Sequence, residues 1–169
     1  GWGVGGVAPR ARDGLVVAMG ERLAVKTLDG NRALKGLPEK RRKPFEDVRV
    51  SGAIALAVDR RAGSKYLSQI AIVKTVGGIV FPGHPLSATE EELEQIAGYW
   101  PSIEKSRTEA RRLLKEAGAE GLEFVLTNRG VDQPYRVVGT WLIDQWKQVG
   151  MKVTQNVLPS PAFYDAVRK

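Results

Sequence analysis

Residues 122–158 read LEFVLTNRGVDQPYRVVGTWLIDQWKQVGMKVTQNVL, and the folding pattern of the chain can be built outward from them. The run LEFVLT (122–127) is rich in aromatic and β-branched residues, and MKVTQNVL (151–158) is a second run of the same kind. Between them Tyr135, Val138, Leu142, Trp146 and Val149 recur at steps of three and four, which puts them on one face of a helix. A helix-like segment ends just before each run, at Ala117-Gly118 and at Val149-Gly150, where glycine accepts the left-handed backbone that stops a helix. Strand, helix, strand is a βαβ unit. It requires parallel pairing with a right-handed crossover, and sheets of this type take ligands at the carboxyl ends of their strands.

Upstream, Ser102 or Ile103 to Ala117 reads as a charged amphipathic helix, and Tyr99, Trp100 and Pro101 break the chain before it. Thr89 and Glu92 have the spacing of a capping box, opening a helix that runs to about Ala97. The segment VGGIVFPGHPL, with Gly77, Gly78, Pro82, Gly83 and Pro85, is a shaped loop that either carries function or only connects two helices. Before it, Glu46 to Arg60 reads as one largely buried helix, which Gly52 weakens by about 1 kcal/mol relative to alanine, and Ser64 to Ile72 reads as another. Pro9 to Met19 has the pattern of a short helix stopped by Gly20, and Leu23 to Leu28 that of a strand entering the Asp29-Gly30 turn. The polar, basic residues 31–43 suggest no element. At the other end, Pro159 and Pro161 bracket a turn before AFYDAVRK starts a last helix.

The totals exclude several functions. The chain has 169 residues, enough for one domain with a core, and 43% hydrophobic with 27% charged residues is ordinary for a globular protein. The longest apolar run, 53–58, is far shorter than the roughly 18 residues a membrane helix needs. No basic-then-apolar leader stands at residue 1, so a secretion signal is expected to have been removed or to lie outside this sequence. There is no cysteine for disulfides, thiolate metal sites or a thiol nucleophile, and the single His84 cannot build a multi-histidine site. The expectation is no catalytic residue, no metal and no cofactor. GWGVGG at 1–6 has the glycine spacing of a dinucleotide fingerprint, but no strand precedes it to aim a phosphate at a helix, so it reads as a loose chain end. The net charge of +7 raises an alternative, a basic module that binds nucleic acid through Lys35 to Lys43 in LKGLPEKRRK. Elsewhere the basic residues are interleaved with acids, as in EKSRTEARRLLKE, and no nucleic-acid reader motif accompanies them, so nucleic acid is not the expected partner.

The order of the pieces is more specific than any one of them. PFEDVRVSGAIALAVDR, the VFPGHPL loop, TEARRLLKEAGAEGLEFVLTN and WLIDQWKQVGMKVTQNVLPSPAFYDAVRK follow one another as in the extracellular solute-binding proteins of ABC importers. The chain resembles the large family of these that binds peptides, nickel and related solutes, from roughly Pro44 to Lys169. The resemblance implies an α/β lobe of the periplasmic-binding-protein kind, with a small mixed or parallel sheet flanked by helices. It implies an N-terminal connecting segment over 1–43 and a partial ligand-binding lobe over 44–169, truncated at its C-terminus. It also implies a function: capture of a peptide or related solute between two lobes, on the periplasmic or extracellular face of a bacterial membrane, and delivery to the permease subunits. The second lobe of the same protein is missing from this sequence, so the surface facing it is expected to favour self-association. Departures from the family's pattern include Ser51-Gly52, where a long polar residue followed by a small or apolar one is usual, and the lack of a visible strand in 31–43.

The same resemblance places one pocket wall in TNRGVDQPYR, where the parallel sheet independently leads one to look. Asn128, Arg129, Asp132, Gln133 and Tyr135 are the candidate ligand-binding residues. Some peptide-binding relatives carry an arginine just before Pro-Tyr, suited to a two-pronged grip on a carboxylate, and here that position is Gln133. Gln133 supplies no charge, which leaves Arg129 to substitute. Three of the candidates also have a plain structural reading: Asn128 and Asp132 as turn or cap residues, Tyr135 as core. Trp141 and Trp146 read as core or lobe-surface aromatics, and His84 as a loop residue without a catalytic role.

Overall fold

The computed structural model of the chain describes residues 14–16, 44–45, 47–70, 76 and 84–168. Three strands, β1 (Gly14–Val16), β2 (Glu123–Arg129) and β3 (Lys152–Leu158), form one sheet in the order β1-β2-β3. Both pairings are parallel, with Gly14 opposite Val125 and Arg129 opposite Leu158. The helices are α1 (Val48–Leu56), α2 (Arg60–Leu67), α3 (Glu90–Glu94), α4 (Ile103–Glu116), α5 (Val137–Lys147) and α6 (Ser160–Arg168). The βαβ unit is therefore β2, α5 and β3, and the sheet is parallel in every described pairing.

Its helix buries the stripe that the periodicity marks from Val138 onward, while Tyr135, the first residue of that stripe, precedes the helix and is half-buried. Val138, Leu142 and Trp146 are almost completely buried and Val149 is buried, together with Phe124 and Leu126 of β2. From the helical side Val50, Ala53 and Ile54 of α1 and Ala110 and Leu114 of α4 complete the same core. Trp146 is the hub. Its ring centroid lies 5.4 Å from that of Phe124, which meets Phe45 edge-on at 5.6 Å. Its indole N–H donates to the Ile54 carbonyl at 3.1 Å, within the last turn of α1, where carbonyls lack helical partners. Trp141, on the same helix, is half-buried against α2: a Cβ on Gly63 would lie 2.7 Å from the indole Cζ2, so only glycine lets that ring approach.

Several local expectations hold. The Thr89–Glu92 capping box is formed in both directions, and Ser102 caps α4 by accepting from the Lys105 N–H. Gly118 and Gly150 have φ of 63° and 88°, the left-handed backbone that lets each helix turn into its strand. Others need correction. The short helix expected across Pro9–Met19 contains β1 instead; Leu15 and Val16 suit a strand, and pairing to β2 overrides the local helical pattern. The single helix expected across Glu46–Arg60 is two. Asp59 leaves helical geometry at ψ 90° and accepts from the Ala62 N–H, so α2 begins at Arg60 and ends at Leu67 rather than running from Ser64 to Ile72. Asp47 caps α1 in the same way through the Arg49 N–H. Helix α3 stops at Glu94, short of Ala97. The turn between Pro159 and Pro161 is already the start of α6, where proline's missing N–H removes no helical bond. The Leu23–Leu28 strand, the polar stretch 31–43, the glycine-rich residues 1–6 and most of VGGIVFPGHPL lie outside the described residues.

Candidate functional site

The carboxyl ends of β2 and β3 leave the sheet side by side, because the parallel register sets Arg129 opposite Leu158. The Gly130 N–H donates to the Leu158 carbonyl at 2.6 Å and ties the two exits together. After β2 the chain makes a kinked turn over Asp132–Arg136, in which Gln133 is extended and its bond to Pro134 is cis, and α5 follows. After β3 it passes Pro159 directly into α6.

The five sequence candidates divide at this edge. Asn128 is buried and committed to the protein: its amide donates to the Arg129 carbonyl at 2.8 Å and its Oδ1 accepts from Gln155 Nε2 at 3.0 Å. Gln155 on β3 also donates to the Arg136 carbonyl at 3.1 Å and accepts from the Thr140 hydroxyl at 3.2 Å, so one side chain joins β2, the kinked turn and α5. Gly139 makes room for it, since a Cβ there would lie 2.6 Å from Gln155 Nε2 and 3.2 Å from Asn128 Oδ1. Asp132 is 82% exposed and pairs with Arg136 at 3.2 Å, and Gln133 is exposed. Neither is drawn toward Arg129 by any hydrogen bond or ion pair among the described residues.

Arg129 and Tyr135 are brought together, with two residues that sequence reasoning did not single out. The Arg129 guanidinium lies over the Tyr135 ring at 5.1 Å and over the Tyr164 ring of α6 at 5.3 Å. Its Nε donates to the Ser160 hydroxyl at 3.0 Å. Tyr164 is 42% exposed, so the cluster opens to solvent on one side. Ser160 and Tyr164 could have been found only from the register, because they follow β3 while the candidates follow β2.

A small concavity lies away from the strand ends. A depression of about 20 Å³, room for about one water, is lined by residues including Val58, Arg60, Tyr99 and Trp100. Arg60 is spent there on structure: its Nη1 donates to the Ala55 and Gly98 carbonyls at 2.9 and 2.5 Å, and its guanidinium lies 4.9 Å over the Tyr99 ring. Burial holds its pKa below the usual arginine range, against the pull of Tyr99. The depression is too small and its polar groups too committed to outrank the strand ends. His84, in a turn, accepts the Leu86 N–H on Nδ1 and is exposed. Among the described residues no group of three or more His, Cys, Asp or Glu side chains could hold a metal, and no helix is long and apolar enough to cross a membrane.

A parallel α/β sheet with its polar cluster at the carboxyl ends of the strands belongs to the broad class of open-sheet ligand-binding folds. The comparisons narrow this. The family described as "Bacterial extracellular solute-binding proteins, family 5 Middle" matches residues 11–169, and the chain belongs to that family. Among solved structures the chain is similar to an oligopeptide-binding protein, OppA, with 26% identity and a TM-score of 0.53. The similarity covers 73% of this chain and 20% of OppA's, so the chain spans about a fifth of that protein's length. No curated protein sequence matches it.

Proposed function

We infer that this chain is part of the solute-binding component of a bacterial ABC importer, which takes up a peptide or related solute outside the cytoplasmic membrane and hands it to the permease. The observation that carries this reading is the family match across residues 11–169; the likeness to an oligopeptide-binding protein favours peptides among the family's solutes. Residues 44–169 would supply most of one lobe, with β1 extending its sheet, and a second lobe would close over the solute by hinge motion. The protein does no covalent chemistry in this reading. The pocket wall is the β2–α5 connection, with Arg129 and Tyr135 facing solute and Asn128 holding the wall in place.

The test uses a protein carrying this chain together with the rest of the family's length. Its thermal unfolding is measured against panels of peptides, sugars and metal chelates. Saturating solute at about 100 times its Kd stabilises the bound fold by about 2.7 kcal/mol, a rise of several degrees, and peptides are expected to give it. No stabilisation by any class would refute the reading.

A further inference from the structure

We propose that Gln155 is a positioning residue for the pocket wall: from β3 its side-chain amide clasps the connection between β2 and α5, so that solute meets a wall already in shape. The proposal rests on the binding-protein reading and adds to it the residue that presets the wall.

A glutamine is out of keeping with its place here unless its bonds are made. The register sets Gln155 opposite Leu126, which is fully buried on the face of the sheet that α5 covers. An amide held there without partners would lose its hydration and gain nothing in return. Both of its N–H bonds are used: Nε2 donates to Asn128 Oδ1 at 3.0 Å and to the Arg136 carbonyl at 3.1 Å. Its Oε1 accepts from the Thr140 hydroxyl at 3.2 Å. Asn128 extends the chain of bonds by donating to the Arg129 carbonyl at 2.8 Å. Gly139 completes the fit, because a Cβ there would lie 2.6 Å from the same Nε2.

The partners are the two ends of one connection. Arg129 is the last residue of β2 and Arg136 the residue before α5, so the two amides hold the carbonyls on either side of the kinked turn. Between them the connection has little support of its own. Among the described residues its backbone bonds are Gly130 N–H to the Leu158 carbonyl and Arg136 N–H to the Val131 carbonyl, at 2.6 and 3.2 Å. The Asp132–Arg136 ion pair joins side chains that are 82% and 55% exposed, where such pairs contribute little. Asp132 and Gln133 are exposed and bury no apolar surface. The shape of the wall therefore depends on a side chain that lies outside it. A wall that holds its shape without solute loses less freedom when solute arrives. Without the clasp the connection samples other shapes, and apparent affinity falls in proportion to the fraction that remains competent.

The experiment uses the full-length protein and two variants. Gln155→Met keeps the length of the side chain and removes the amide; Gln155→Glu keeps an acceptor for Thr140 and removes both donors. Exchange of the Arg136 amide is followed by NMR without solute, trialanine binding by calorimetry, and global stability by urea unfolding. Thr89→Ala, which loosens the cap of α3 instead, is the control for general loss of stability. Both Gln155 variants are expected to speed exchange at Arg136 about tenfold, to leave the amides of 124–126 unchanged, and to weaken trialanine binding about tenfold, equivalent to about 1.4 kcal/mol. Thr89→Ala is expected to change neither reading. Unchanged exchange in both Gln155 variants overturns the clasp. Faster exchange with unchanged trialanine affinity overturns the positioning role, and so does an equal loss of affinity in Thr89→Ala. Failure here is distinct from failure of the binding-protein reading: wild-type protein that binds trialanine, with an affinity indifferent to Gln155, keeps the function and loses the proposal. Wild-type protein that binds no trialanine overturns the claim on peptide affinity, and the exchange at Arg136 still decides the clasp.

Discussion

Trp146→Phe should uncouple the crossover helix from the helix layer beside it. The indole of Trp146 is completely buried, and its N–H is the donor to the Ile54 carbonyl. That carbonyl lies in the last turn of α1, where the Ala57 N–H is used by Ala53 and Arg60 serves Ala55. Phenylalanine keeps an aromatic face for Phe124 but brings no donor. A buried carbonyl left unpaired costs about 1–3 kcal/mol, and the lost ring volume costs about 1 kcal/mol more, for a total of about 2–4 kcal/mol. For a chain of this length that corresponds to a fall in Tm of about 5–15 °C. Urea unfolding followed by circular dichroism measures it directly, and an unchanged m-value would show that the loss is in stability and not in the extent of folding. Substituting the indole N–H by sulfur, with 3-benzothienylalanine, keeps the bicycle and isolates the hydrogen bond. A cost under ~0.5 kcal/mol for Trp146→Phe would refute the claim that this bond joins α5 to α1, because losses of that size are ordinary for surface changes.

Gly139→Ala should gain up to about 1 kcal/mol of helix propensity and still destabilise the protein, because the new methyl displaces Gln155 from Asn128 and Arg136. Adding Gln155→Ala should remove that penalty, and a double-mutant cycle by urea unfolding that gives no coupling would contradict the close approach. Thr89→Ala should cost about 1 kcal/mol by breaking the capping box of α3, read as a local rise in amide exchange over 90–94. Glu123 stands opposite Lys152 in the sheet and bonds it at 2.8 Å, which holds its carboxyl below the usual glutamate range. The stabilisation is present above the unfolded-state pKa and is lost as pH falls below about 4.3 and through the folded value. Carbon-13 titration of the Glu123 carboxyl should show the lowered midpoint, and Lys152→Met should return it to normal.

What the sequence disclosed follows from the range over which each signal acts. The β2–α5–β3 unit was legible because its signals are local: a helical stripe from Val138 to Trp146 and glycine stops at Gly118 and Gly150. The capping box of α3 was legible for the same reason. Strand β1 was not, since a three-residue strand takes its state from a partner far along the chain. The end of α1 was hidden by the apolar pattern of Ile54 to Val58, which runs past Leu56, although Asp59 just beyond it is a favoured cap. In the candidate site, Arg129 and Tyr135 were found because they share one connection. Ser160, Tyr164 and Gln155 were missed because only the pairing of Arg129 with Leu158 brings them near. Asp132 and Gln133 lie in the same connection, but the kinked turn leaves both exposed.

The pairing of β1 with β2 also bears on the order in which the chain assembles. Val125 meets a residue close by in sequence when β3 adds, and one roughly a hundred residues away when β1 adds, a closure that costs about 1 kcal/mol more in chain entropy. The parallel unit built on α5 is expected to close first, and β1 to dock on an edge that already exists. Pulse-labelled hydrogen exchange during refolding would then protect the amides of 152–158 before those of 14–16. Until β1 arrives, one edge of β2 is an unpaired template that another chain can occupy, so the refolding yield is expected to fall as protein concentration rises.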